Sequence, residues 1–256
     1  MLLHHQIAGQ GSPLFLIHGL FGSLDNLALI ARELEKHYRI ISIDVRNHGH
    51  SFHSDELSYE QMADDVFTLA DHLTITKFAC LGHSMGGKIA MRMALNSPER
   101  ISKLIVADIA PVKYSPRHDA VISGLKAVAD APAISSRAHA ELILSDYIKI
   151  PGVRQFLLKS LVKEGLPYHW RFNLNAIADN YDDISDWPAH TGSFSGPVRF
   201  LKGGDSDYLL PKHQAAIAKY FPNASAKVLP GTGHWLHAEK SRLFNRLALD
   251  FLTQED

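Results

Sequence analysis

Short apolar runs alternate with longer stretches of helical period through the first half of the chain. Pro13-Leu14-Phe15-Leu16-Ile17, the run 39–45, Lys77-Phe78-Ala79-Cys80-Leu81 and Leu104-Ile105-Val106-Ala107-Asp108 each read as a buried strand. They are apolar almost throughout and too short for helices. Between them, 25–37 and 88–96 read as helices. Tyr59, Met62, Val66, Leu69 and Leu73 recur at helical spacing, so 58–73 is an amphipathic helix. Ser58 is placed to cap it and Gln61 to complete a capping box. Buried strands separated by helices imply a mostly parallel sheet covered on both faces.

The pattern changes after Ile109. Across 111–195 there are helical segments and turn signals but no convincing buried strand. Val153, Phe156, Leu157, Leu161 and Val162 form one apolar stripe, and Leu142, Ile143 and Tyr147 belong to another. The stretch is too long for an ordinary loop. It reads as a helical cap inserted into an α/β core made of 1–110 and 196–256. The α/β pattern resumes at Pro197-Val198-Arg199-Phe200-Leu201, followed by a helix over 212–220, a strand over 226–229 and a final helix over Ser241–Leu252.

The chain has 256 residues, 46% of them hydrophobic, which is enough for one large core with an insertion. A net charge of −1 argues against a nucleic-acid footprint or a polybasic membrane patch. The one cysteine, Cys80, falls in a buried strand; it forms no disulfide within the chain and reads as a small core residue. The first residues lack the basic-then-apolar pattern of a signal peptide, and no apolar stretch is long enough to span a bilayer. The expected location is the cytoplasm.

Gly82-His83-Ser84-Met85-Gly86-Gly87 is a G-x-S-x-G pattern between an expected strand and an expected helix. That context makes it a nucleophile elbow rather than an ordinary glycine turn. A serine needs a base to become a nucleophile, and the base needs an orienting acid. The base candidate is His234, in Gly231-Thr232-Gly233-His234-Trp235, just after the last expected strand. His237, one helical turn on, reads as structural. Two aspartates can serve as acid: Asp108, at the end of the strand after the serine, and Asp207, after the strand that follows the cap. Asp205 is a weaker choice, and Asp44 reads as structural. Acyl transfer also needs an oxyanion hole. The expected donors are the backbone N–H groups of Met85 and of Leu20, the latter in the His18-Gly19-Leu20-Phe21-Gly22 loop. This chemistry calls on no metal or organic cofactor. Phe21, Met85, Val112, Phe156, Trp170 and Trp235 are candidate liners of an apolar acyl pocket.

His18-Gly19, Asp44-Val45-Arg46-Asn47-His48-Gly49-His50-Ser51, Gly82–Gly87, Asp108-Ile109-Ala110-Pro111 and Gly233-His234-Trp235 stand in an order that resembles the α/β-hydrolase superfamily along essentially the whole chain. They look most like the bacterial YbfF-type esterases and related abhydrolase-domain proteins. The resemblance implies an α/β-hydrolase fold and a serine carboxylesterase acting on small to medium acyl esters or acyl-CoA thioesters. It also implies the acid at Asp108, with Ser206 assisting, although this chain keeps an acid at Asp207 too. Three alternatives use related folds. A carbon–carbon bond hydrolase or lyase would keep the same triad. A haloalkane dehalogenase would need an aspartate where Ser84 stands. A ligand receptor would bind without turnover.

Overall fold

A computed structural model describes residues 1–164 and 167–254. Nine strands are assigned there: β1 (His5–Ala8), β2 (Pro13–Ile17), β3 (Arg39–Ile43), β4 (Phe78–His83), β5 (Ile101–Ala107), β6 (Leu161–Val162), β7 (His169–Trp170), β8 (Val198–Gly203) and β9 (Ala224–Leu229). Seven of them build one sheet in the order β1-β3-β2-β4-β5-β8-β9, while β6 and β7 pair separately. Only the β1–β3 pairing in the large sheet is antiparallel. The register aligns the strand ends: Ile17 lies beside Gly82, Gly82 beside Val106, and Ala107 beside Leu201. Residues just beyond those ends therefore meet at one edge, where ligands bind in sheets of this kind.

Alternation along each strand divides the core. Phe15, Ile17, Cys80 and Val106 pack on one face with α2 (Tyr59–His72) and α3 (Met85–Asn96). Leu14, Leu16, Leu81 and Ile105 pack on the other with α1 (Ala28–Leu34) and α11 (Ser241–Leu252). Ser58 and Gln61 form the expected capping box at the start of α2. The expected 25–37 helix divides into a 3₁₀ turn, Leu24–Leu27, and α1. The polar, half-exposed β1 carries no apolar pattern by which its sequence would mark a strand.

A helical insert follows β5. It holds α4 (Asp119–Ala129), α5 (Arg137–Tyr147), α6 (Pro151–Leu158), α7 (Leu174–Asp179) and α8 (Tyr181–Ser185), together with β6 and β7. Helix α6 stops at Leu158, so Leu161 and Val162 leave the expected helical stripe and pair in β6 instead. The second stripe also departs from expectation: Leu142 is 70% exposed and Tyr147 41%. The chain returns as β8, and α9 (Gln214–Tyr220) and α10 (Leu236–Glu239) complete the elements.

Candidate active site

Ser84 occupies the tight turn between β4 and α3. Its φ of 54° lies in the left-handed region, which non-glycine residues rarely enter. The turn survives because the backbone around it is crowded. A Cβ on Gly82 would overlap the Gly86 carbonyl, and one on Gly86 would overlap the Ile17 and His18 carbonyls. Glycine at these positions lets α3 approach the strand ends. Ser84 Oγ is 2.9 Å from His234 Nε2, although 150 residues separate them.

His234 Nδ1 in turn lies 2.8 Å from Asp108 Oδ2. A serine hydroxyl donating to Nε2 leaves the imidazole proton on Nδ1, where the carboxylate accepts it. Asp108 is fully buried and also has a left-handed φ, 54°. Its Oδ1 accepts from the Gly203 N–H at 3.0 Å, and its Oδ2 accepts from Ser206 Oγ. Three donors thus converge on one carboxylate. Asp207 is placed differently. It accepts from Arg117 at 3.0 and 2.7 Å, and its side chain is 66% exposed. The guanidinium beside Asp207 lowers its pKa, mainly through that hydrogen bond. Asp205 is exposed. Asp44 is buried and accepts from the N–H groups of Leu24 and His50 and from His4, which pins three segments together as a structural residue would.

Two aromatic or basic neighbours of the imidazole gave no sequence signal. The Tyr208 ring stacks on His234 with centroids 3.9 Å apart and planes 21° apart. His83, next to the serine, bonds the His234 main-chain oxygen at 2.8 Å. His237 is buried against His83 and Phe244, and burial pushes its pKa down to about 3.

Two cavities meet at Ser84. The larger, about 790 Å³, is mostly apolar and takes in Phe21, Val153, Phe156 and Trp235 beside Ser84 and His234. The smaller, about 40 Å³, is lined by Leu20, Ser84, Met85, Lys88 and residues of the insert. Of the expected liners, Phe21, Phe156 and Trp235 line the larger cavity and Met85 the smaller. Val112 packs against the core instead. Trp170 lies inside the insert, stacked on Phe172 and donating from Nε1 to the Leu125 carbonyl at 2.9 Å. Gly19 runs so close to Ser84 that a Cβ there would stand 3.2 Å from the serine Cβ. That closeness brings the Leu20 loop to the nucleophile.

The insert is tied to this region. Lys88, one helical turn after Ser84, donates to the carbonyls of Ser185 and Asp186 at 3.0 and 2.7 Å. Desolvation pulls its pKa down to about 7. Tyr59 Oη donates to the Ile184 carbonyl at 2.6 Å.

Residues 12–126 match the α/β hydrolase fold family. Esterase YbfF of Escherichia coli (strain K12) is 41% identical over 232 residues, spanning 90% of this chain and 89% of that protein. The sn-1-specific diacylglycerol lipase ABHD11 of Mus musculus is 39% identical over 243 residues, spanning 92% and 79%. Among solved structures, a marine microorganism esterase matches with a TM-score of 0.94 at 38% identity, covering 98% of this chain and 99% of that one. The chain belongs to the α/β-hydrolase fold family. Within that family it is a carboxylic ester hydrolase of the esterase/lipase kind. Among the described residues, no helix is long and apolar enough to cross a membrane.

Proposed function

We propose that this enzyme hydrolyses small to medium acyl esters through a covalent acyl-enzyme on Ser84. The observation that carries this is the continuous line Ser84 Oγ–His234 Nε2, His234 Nδ1–Asp108 Oδ2, opening onto an apolar cavity. Ser84 Oγ attacks the ester carbonyl carbon while His234 Nε2 takes the hydroxyl proton. Asp108 orients the ring and stabilises the imidazolium. The N–H groups of Leu20 and Met85 hold the oxyanion. Collapse of the tetrahedral intermediate breaks the bond to the leaving oxygen, which His234 protonates. Water then attacks the acyl-enzyme, giving its proton to His234, and the acid departs as Ser84 regains a proton. The segment 111–195 serves as the cap, whose apolar side chains contact the acyl group. A thiolate leaving group passes through the same steps, so acyl-CoA thioesters fall within the proposed range.

The test is stoichiometric labelling of Ser84 by a fluorophosphonate, together with a burst of p-nitrophenol from p-nitrophenyl esters. A folded sample that neither labels nor shows a burst would overturn the reading. A panel of acyl esters, acyl-CoA thioesters and vinylogous diketones then separates ester hydrolysis from carbon–carbon bond cleavage.

A further inference from the structure

We infer that His83 is a positioning residue for this reaction: the N–H it donates to the His234 main-chain carbonyl fixes where the base sits relative to Ser84. The inference rests on the Ser84–His234 reading above. His83 ends β4 and takes no part in the steps just described. Its Nε2 lies 2.8 Å from the His234 oxygen, across 151 residues of sequence. A carbonyl can only accept, so the proton of His83 must sit on Nε2.

The need for such a tie follows from the topology. His234 stands beyond β9, the last strand of the sheet, and Ser84 follows β4, three places away in the order β4-β5-β8-β9. The loop from Pro230 must therefore reach back past the ends of β8 and β5. Asp108 holds the His234 ring at Nδ1, and Tyr208 covers one face of it. Both act on the side chain. His83 acts on the main chain, from the residue bonded to the nucleophile itself. Without that hold, the ring could keep its bond to Asp108 and still draw away from Ser84 Oγ. A misplacement of about 1 Å at a reacting centre costs about 100-fold in rate.

The surroundings suit a fixed donor. His83 is buried, with its ring 4.4 Å from that of His237 and 4.8 Å from that of His234. Desolvation first, then the neighbouring His237 and His234, hold its pKa well below the ordinary value. His83 therefore remains a neutral donor and adds no second charge beside the imidazolium that forms on His234. A side chain that only filled this space could be apolar and would avoid the cost of burying polar nitrogens.

The experiment compares His83→Phe and His83→Met, which remove the donor, with His83→Gln, which keeps an N–H. On a p-nitrophenyl ester, the Phe and Met variants should lose about 10- to 100-fold in kcat. Their KM should stay within about threefold, because the lost contact matters to the chemical step. The Gln variant should recover to within about fivefold of wild type. The downfield proton resonance of the His234 Nδ1–H should broaden in Phe and Met and return in Gln. Folded Phe or Met variants with kcat within about twofold of wild type would overturn the inference. So would a Gln variant as impaired as the other two, since ring packing against His237 would then be the cause. Failure of all three variants to fold would also overturn it, by making His83 a folding residue. Fluorophosphonate labelling of the wild-type enzyme is read in parallel: its absence refutes the Ser84 reading, and its presence leaves the His83 result to stand alone.

Discussion

Backbone strain lies mostly beyond the strand ends, with Thr74 ahead of β4 an exception, and is absent from the described part of the insert. Phe21, Ser84 and Asp108 all have φ near +60° and all lie at the edge where Ser84 and His234 meet, whereas no described residue of 111–195 other than glycine has a positive φ. Each such residue costs about 1–3 kcal/mol and persists only where its surroundings impose the conformation. Here Ser84 N–H donates to the Ala107 carbonyl at 2.9 Å, and Asp108 N–H to Leu201 at 2.9 Å, so sheet bonding imposes it. The insert instead turns exposed apolar side chains to the large cavity, which Tyr147 and Ile150 border. The contrast teaches a division of labour. The strand ends hold Ser84, His234 and Asp108 in direct contact, and the insert supplies cavity walls that can vary without disturbing them.

The largest test of that division is Asp108→Asn. Asparagine keeps the shape but cannot accept the Nδ1–H as a carboxylate does, and it favours the wrong imidazole tautomer. The expected loss in kcat is about 10⁴-fold with the fold intact. Steady-state kinetics and a thermal melt check both halves of that statement. A loss of only about tenfold would mean that another group orients His234, and the edge would not be the rigid catalytic unit described.

Acid pH should destabilise the fold through histidines near the strand ends and, at His118, in the insert. Burial lowers the pKa of His18, His48, His83, His118 and His237, to about 3 for His48 and His237 and about 4 for His118. In the unfolded chain these groups titrate near 6.5, at about the ordinary value. Below that pH the unfolded state binds protons that the folded state refuses, so stability falls as pH falls. The loss continues until the pH passes the folded values. Urea unfolding between pH 7.5 and 4.5 should show a falling midpoint, and His237→Phe should flatten the fall. A midpoint independent of pH across that window would contradict the neutral, buried state of these rings.

A change in the insert should alter selectivity more than chemistry. Phe156 reaches from α6 into the large cavity, with its ring 6.0 Å from that of Trp235. Phe156→Ala removes part of the wall. The ratio of kcat/KM for long against short p-nitrophenyl esters should shift by about tenfold, the scale of a lost apolar contact. Hydrolysis of the acetate should stay within about threefold of wild type. An equal fall for every chain length would mean that the insert shapes the reacting centre too, and the division would fail.

The sheet and the serine turn were legible because their signals are local. Buried strands such as 77–81 are apolar on both faces, and the glycines around Ser84 mark a turn wherever they occur. Helix α11, Ser241–Leu252, was legible because one amphipathic stripe runs its full length. The insert was harder. Its helices are short, and Leu142 fits a helical period while facing outward. The choice between the two aspartates was not local at all. Both follow strand ends, and spacing alone leaves either within reach. Register decides their placement: Ala107 pairs with Leu201, and the Gly203 N–H then bonds Asp108. Asp207, four residues past Gly203, turns out to the surface. Tyr208 on His234 and Lys88 under the insert depend on partners far away in sequence, so no motif could announce them.

The smallest expected effect is also the most discriminating, because Asp207 joins the two regions. Its carboxylate pairs with Arg117 of the insert, and that guanidinium lies 4.6 Å from the centroid of the Tyr208 ring stacked on His234. An ion pair this exposed is worth about 0–1 kcal/mol. Asp207→Asn should therefore reduce kcat/KM by no more than about fivefold. High salt should produce part of the same change in the wild-type enzyme, since it screens an exposed pair. If Asp207→Asn instead falls as far as Asp108→Asn, the insert contributes to the chemistry through this pair. The strand ends would then not suffice to hold His234 against Ser84.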